Sequence, residues 1–305
     1  LQLRQLVEHC GPLRLQRLIL VDAAGILHPQ VITKFQAGSM VERASGVQQA
    51  RGFIERLSGK ILEQSEKLPV SPFDIVDNAL GRDVVLQGGP EKIAALELAG
   101  EDFSRAIAAV TAPTLILWGD YDLVAPLRTG NVLAARMQHA RLEIIYDSGH
   151  EPMLDQPQFL NTSLKKHLLA TTQELADAYA QKTPRTLPFT SERKGSCSGT
   201  SGKIFEGDYR IIELRDCSNV IIRNARVEQL IVYNSRLNMS DSNILGKEIG
   251  LNANYADITI TNGEISGEIA INAANSRLDL AGVGLDASKA AVKGVNSKFV
   301  FSVSS

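Results

Sequence analysis

Pro113-Thr114-Leu115-Ile116-Leu117-Trp118-Gly119-Asp120-Tyr121-Asp122 decides the fold of the first part of the chain. Four large apolar side chains stand between an opening proline and a closing glycine, which marks a short strand buried on both faces. Upstream, residues 17–21 (RLILV) repeat the pattern and run into the turn Asp22-Ala23-Ala24-Gly25. Downstream, residues 129–137 read as a helix, 142–146 as a third strand and 158–180 as a closing helix. Strand, helix and strand in alternation predict a parallel sheet in an α/β domain. Between the first two strands, residues 31–110 are mostly helical in pattern, cut by Pro69, Pro72 and Gly88-Gly89-Pro90.

Beyond about residue 182 the pattern changes. Residues 182–199 (KTPRTLPFTSERKGSCSG) have the composition of a linker. The rest of the chain is a repeat. Cys217-Ser218-Asn219-Val220-Ile221-Ile222 aligns with Asn234-Ser235-Arg236-Leu237-Asn238-Met239 and with segments starting at Tyr255, Asn275 and Asn296, so the anchors lie 17, 21, 20 and 21 residues apart. Three residues after each anchor stands Val220, Leu237, Ile258, Leu278 or Phe299; ten after it stands Val227, Ile244, Ile265 or Leu285. Four before it stand Leu230, Leu251, Ile271 and Val292, with Glu213 the exception in the first coil. Several short strands per period of about 20 residues, with Asn recurring at a turn, resemble a right-handed parallel β-helix. An ordinary sandwich would not hold one register through five repeats.

At 305 residues the chain is long enough for two domains. Its 44% hydrophobic and 22% charged content is that of a folded globular protein, and a net charge of −2 gives no basic surface for nucleic acid or anionic lipid. No apolar run approaches the roughly 18 residues of a spanning helix. Three cysteines make no disulfide framework, although one pair can still bond. The chain opens on Leu1 with no signal peptide, which reads as an internal piece of a longer protein. P-loop, dinucleotide glycine fingerprint and zinc-spaced Cys/His cluster are all missing from the sequence, so no cofactor and no metal is expected.

The first part resembles the C-terminal half of an α/β-hydrolase over about residues 1–170. The residues that carry this are RLILVD (17–22), PTLILWGDYD (113–122) with Pro126, and DSGHEPMLDQP (147–157). The resemblance implies that PTLILWGDYD is the penultimate strand with the triad acid behind it, and that SGHEPMLDQP carries the triad histidine. Asp122 is then the acid, three residues past the glycine, with Asp120 the alternative, and His150 is the base. Physics points to the same pair, because open parallel sheets place their sites beyond the carboxyl ends of the strands. His9, His28, His139 and His167 lack such a setting and read as surface or packing residues.

The resemblance also implies a nucleophile on a G-x-S-x-G elbow ahead of residues 17–21, a place this sequence does not include. Gly195-Ser196-Cys197-Ser198-Gly199 imitates the motif as G-x-C-x-G but follows the histidine and lies in a polar stretch; Cys10 also lacks a preceding strand. Residues 26–110 would form the lid, with Leu80, Leu86 and Leu96 as apolar lining. The expected organisation is a partial α/β-hydrolase sheet with helical lid (1–181), a linker and possible first coil (182–208) and a parallel β-helix (209–305). The strand at 17–21 should expose an open edge, pairing with the missing N-terminal half or with another chain.

The leading reading is a cofactor-independent hydrolase of an ester or similar acyl bond in a small-molecule substrate not identified by the sequence. One alternative is a non-catalytic binding or adhesion protein that displays the β-helix on a degenerate hydrolase domain; another is polysaccharide cleavage by the β-helix itself. Cys197 and Cys217 are one repeat apart. Stacked on adjacent coils they would stand about 4.8 Å apart, near the short end of what a disulfide tolerates. The other reading is two reduced thiols at the turn position Asn fills later. A bond would suggest a periplasmic or extracellular home.

Overall fold

A computed structural model describes residues 15–28 apart from Ala24, Val31, 103–179 and 191–304. The chain divides into two compact units, Leu1–Gln181 and Lys182–Ser305.

In the first unit three strands form one sheet in the order β1-β2-β3, all parallel. They are β1 (Leu18–Val21), β2 (Thr114–Gly119) and β3 (Ala140–Ile145). Every residue of β2 is buried, as its unbroken apolar run requires of a central strand. Leu115, Leu117 and Ile145 pack with Leu160, and Ile19, Val21 and Leu164 close around them. The helices are α1 (Ser104–Ala109), α2 (Leu127–Arg136), α3 (Pro152–Asp155), α4 (Pro157–Leu169) and α5 (Thr172–Ala178). The single closing helix expected over 158–180 is therefore two. Thr171 stops α4 and starts α5 with a capping box: its Oγ1 accepts from the Glu174 amide at 3.2 Å, and its own amide donates to the Glu174 carboxylate at 2.7 Å. The Arg17 guanidinium donates to the carbonyls of Leu168 and Ala170, placing a cation at the carboxyl end of α4. Among the described residues β1 pairs with β2 alone. The expected lid lies for the most part outside the described residues, as do Leu80, Leu86, Leu96, His9 and Cys10.

The second unit is a parallel β-solenoid. Its strands are β4 (Lys194–Ser198), β5 (Ile204–Arg215), β6 (Val220–Tyr233), β7 (Arg236–Ser240), β8 (Asn243–Leu245), β9 (Ile249–Asn254), β10 (Asp257–Ala274), β11 (Arg277–Val295) and β12 (Lys298–Ser302). The repeat columns are ladders. Leu237 lies between Val220 and Ile258, and Leu278 between Ile258 and Phe299. Ile244 lies between Val227 and Ile265, and Leu251 between Leu230 and Ile271. These side chains form one buried cluster along the solenoid. Burying a methylene contributes about 0.8 kcal/mol, so each coil is held chiefly by its neighbours.

The corners explain why Asn recurs. Asp216, Asn234, Tyr255, Asn275 and Asn296 all have φ between 42° and 54°, the left-handed region that Asn, Asp and Gly tolerate best. Asn234 donates to Asp216 at 2.7 Å and Asn296 to Asn275 at 2.8 Å, forming short amide ladders. The serine that follows the corner satisfies two backbone groups. Ser235 Oγ donates to the Tyr233 carbonyl and accepts from the Cys217 amide of the preceding coil; Ser276 does the same with Ala274 and Ala256.

Two expectations need correction here. The first corner is Asp216, not Cys217, because Ser218-Asn219 adds a residue before Val220, absorbed by a second left-handed residue at Asn219 (φ 51°). Counted from Asp216 the exception disappears: Ile212 is four before the corner, pairs with Leu230 and is fully buried. Within the stretch 182–208, read as linker and possible first coil, β4 pairs with β5 as a rung of the solenoid. Cys197 stands opposite Leu214 in that ladder, not opposite Cys217. The two cysteines meet across the corner, one before Gly199 and one after Asp216, with Cα atoms 6.4 Å apart and sulfurs joined in a disulfide.

With Cys197 and Cys217 bonded, denatured, unreduced protein should expose one thiol per chain, that of Cys10. Three thiols would contradict the bond. Closing a loop of this length is worth about 3 kcal/mol, so reduction should lower the solenoid's denaturation midpoint measurably.

Candidate active site

At the carboxyl ends of the three strands, three loops converge. The loop after β2 carries Asp122, whose Oδ1 accepts from the amides of Val124 (2.7 Å) and Ala125 (2.9 Å). This is the turn that aspartate builds for itself. The buried Trp118 indole braces the same loop by donating to the Ala125 carbonyl at 3.2 Å. With one oxygen committed to the turn, Oδ2 is left to face the loop after β3, where His150 Nδ1 lies 2.9 Å away.

The histidine loop is held by backbone. Asp147 adopts φ 56°, the Tyr121 amide donates to the Ser148 carbonyl (3.0 Å), and the Gly149 amide donates to the Asp155 carboxylate of α3 (2.7 Å). Asp120 accepts from the Ser148 amide at 3.3 Å. Of the two aspartates weighed from sequence, Asp122 stands beside His150 and Asp120 braces the loop that carries it. The Asp122 side chain is fully buried and that of His150 is 38% exposed. An ionised carboxylate only accepts, which puts the ring proton on Nδ1 and leaves Nε2 basic.

Gly119, where β2 ends, has no room for a side chain. A Cβ there would lie 2.2 Å from the Gly149 carbonyl oxygen and 2.5 Å from that of Ser148. The acid loop and the histidine loop thus cross at van der Waals contact between main chains.

A third carboxyl, which the sequence motifs do not single out, lies beside this crossing. Asp22, in sequence only part of a turn, is 5% exposed at the end of β1, and its Oδ1 accepts from the Gly119 amide at 2.9 Å. Burial pushes its carboxyl from 3.8 up to about 6; the Gly119 amide opposes this, Asp122 adds to it and His150 subtracts. The signal that would have found it is the one that found the other two, a polar side chain just past a parallel strand's carboxyl end.

The remaining described histidines lie elsewhere. His167 is buried on α4, its Nδ1 2.9 Å from the Tyr179 hydroxyl, and burial together with Arg17 and Arg141 holds its pKa down. His139 offers its carbonyl to the Thr114 amide, and His28 is half-buried. Cys197 of the G-x-C-x-G imitation sits within β4 and is disulfide-bonded. Among the described residues no cluster of His, Cys, Asp and Glu could hold a metal ion.

No family model matches the chain. Two curated proteins, a 2-hydroxy-6-oxononadienedioate/2-hydroxy-6-oxononatrienedioate hydrolase from Paraburkholderia xenovorans and a second hydrolase of that name from Pseudomonas putida, are each 35% identical to it over 75 residues. That stretch is 25% of this chain and 26% of each relative, so the chain spans about a quarter of the length of the curated relatives it matches. Among solved structures, a thermophilic esterase from Thermogutta terrifontis is 21% identical, with 50% of this chain and 55% of that one covered at a TM-score of 0.29.

Gly119→Ala should destabilise the first unit by about 2–3 kcal/mol in urea unfolding, since only a backbone shift can admit the methyl. Asp22 gives a pH signature. Its folded pKa is raised, so its contribution to stability is full below 3.8 and is lost as pH rises through about 6. Asp22→Asn cannot titrate, so its stability relative to the wild type should rise by about 2 kcal/mol between pH 4 and pH 8. A flat difference over that range would contradict the assignment.

Proposed function

We propose that Asp122 and His150 are the acid and base of an α/β-hydrolase-type triad that cleaves an ester or similar acyl bond. One observation carries this reading: a fully buried carboxylate 2.9 Å from Nδ1 of a half-exposed imidazole, beyond the carboxyl ends of a parallel sheet. Asp122 fixes the tautomer and stabilises the imidazolium; His150 Nε2 takes the proton from a nucleophile's hydroxyl as its oxygen attacks the acyl carbon. The same proton then goes to the departing alkoxide. A water molecule, deprotonated by His150 in turn, cleaves the acyl-enzyme and regenerates the nucleophile.

The 305 residues hold no G-x-S-x-G. We assign the nucleophile and its oxyanion hole to sequence ahead of Leu1, in keeping with the chain order nucleophile, acid, histidine. The curated relatives' names supply the first compounds to offer, 2-hydroxy-6-oxononadienedioate and the corresponding trienedioate, alongside activated esters.

The 305-residue chain should not turn over an activated ester. A rate that survives Cys197→Ser but disappears with His150→Ala would overturn the assignment of the nucleophile. The protein extended through its upstream coding sequence should contain an apolar strand, a G-x-S-x-G elbow and a helix, and should hydrolyse the ester. There His150→Ala should cost at least about 10³-fold in kcat/KM. An extended protein without the elbow, or one indifferent to His150→Ala, would overturn the hydrolase reading.

A further inference from the structure

Three successive rungs of the solenoid reach the corner without a charge: residues 231–234 (IVYN), 252–255 (NANY) and 272–275 (NAAN). They stack in register, Tyr233 beside Asn254 and Asn254 beside Ala274, with Ile231, Asn252 and Asn272 in a second column two residues earlier. Side chains two apart share a face, and this one points outward, because Val232, Ala253 and Ala273 between them belong to the core. Elsewhere the outer wall is laced with ion pairs, Arg226 to Asp208, Arg223 to Glu206 and Lys289 to Glu268 among them. Charges border the strip, with Arg215 and Asp216 at one end, Lys293 at the other and the Arg236–Asp257 pair past the corner. Tyr233 is 40% exposed and Tyr255 57%, and their rings meet edge to face with centroids 6.2 Å apart. One ring therefore offers a face and the other a wall. An aromatic residue at a left-handed corner costs conformational energy that Asn avoids, and a half-exposed ring recovers little of it by burial. Beside the rings the amides are fixed in pairs: Asn272 Nδ2 donates to Asn252 Oδ1 at 3.1 Å, as Asn296 donates to Asn275. Each pair leaves an amino group (Asn252, Asn275) and an oxygen (Asn272, Asn296) with no further partner among the described residues.

We infer that this corner strip binds a neutral oligosaccharide chain, with the Tyr233 and Tyr255 rings against a sugar face and the paired amides bonding its hydroxyls. Other ligand classes fit the strip poorly. Nucleic acids and acidic glycans need Lys or Arg to offset their charge, and the strip itself has none. A protein partner needs more area: three rungs at about 4.8 Å by four residues at about 3.3 Å give roughly 200 Å², against about 800 Å² per partner in a standard interface. A lipid chain would cover the amides and leave them unsatisfied. A sugar ring meets each demand. Its C–H face is apolar and lies well on an aromatic ring, and its rim of hydroxyls both donates and accepts, as the free amino groups and oxygens of the ladders require. The rungs repeat at about 4.8 Å, close to the rise of one sugar unit in an extended chain, so a chain lying along the stack meets each coil with a fresh ring. The inference concerns the second unit alone and is independent of the hydrolase reading.

The test is calorimetric titration of the 305-residue chain with neutral hexasaccharides: β-1,4-linked glucose, N-acetylglucosamine and mannose, and α-1,4-linked glucose. Oligogalacturonate is the acidic comparison. At least one neutral hexasaccharide should bind with a Kd below about 1 mM, and salt at about 0.5 M should not weaken it. Tyr255→Asn places at this corner the residue its neighbours have, so it keeps the fold while removing the ring; it should weaken binding by about tenfold or more. Tyr233→Ser, on an outward strand position, should do likewise. Tyr146→Ala, at an exposed tyrosine of the first unit, should change nothing. Failure of every neutral hexasaccharide to bind, preference for oligogalacturonate, or binding indifferent to both substitutions overturns the inference. Self-association of the chain that Tyr255→Asn abolishes, with no sugar bound, would assign the strip to a second copy and overturn it equally.

Discussion

Two backbones in contact hold the first unit's candidate site together. At Gly119 the acid strand ends beneath the carbonyls of Ser148 and Gly149, with no space for a Cβ. Everything nearby is built around that crossing. Asp120 and Tyr121 bond across it to Ser148, Asp22 takes the Gly119 amide from the other side, and the separation of Asp122 and His150 follows from where the loops are thereby fixed. Main-chain packing thus sets the distance between the two side chains.

The solenoid solves a different problem with one recurring device. A coil must turn sharply without leaving amides and carbonyls unpaired in a tightly packed wall. Left-handed Asn or Asp makes the turn, and the serine that follows takes an amide from one coil and gives its hydroxyl to a carbonyl of its own. Tyr255 departs from this at a corner where its neighbours are Asn, and it compensates in part by packing edge-on against Tyr233. The apolar interior supplies the stacking energy. The corners supply the register.

Much of this was legible in the residues. The apolar runs at 18–21, 114–119 and 140–145 are strands within a residue or two of where periodicity puts them, because a buried parallel strand leaves little choice of composition. The solenoid columns were legible for a similar reason, since each inward position repeats its neighbour's demand. Local chemistry was harder. Thr171 and Glu174 break a helix that apolar spacing alone continues, and the added residue at Ser218-Asn219 shifts the first anchor by one, which misplaced Cys217 and made Glu213 look anomalous. At the site, Asp122 and His150 stood out by motif. Asp22 did not, because an Asp before Ala-Ala-Gly has the composition of any turn, and only the fold shows that its carboxyl points into the sheet rather than into water.

The disulfide gives the solenoid a direction. Strands in a stack of coils hold one another only through nearest neighbours, so such a structure comes apart by peeling rather than by a single rupture. β4 is fastened covalently to the corner after β5, whereas the later described rungs are joined to one another by hydrogen bonds and apolar contact. Peeling that travels along the later rungs toward β5 and β4 therefore meets the staple. The solenoid carries a zipper with a stop: a pull that separates the later rungs would meet a soft, stepwise yield, and one that reaches Cys197–Cys217 a hard limit.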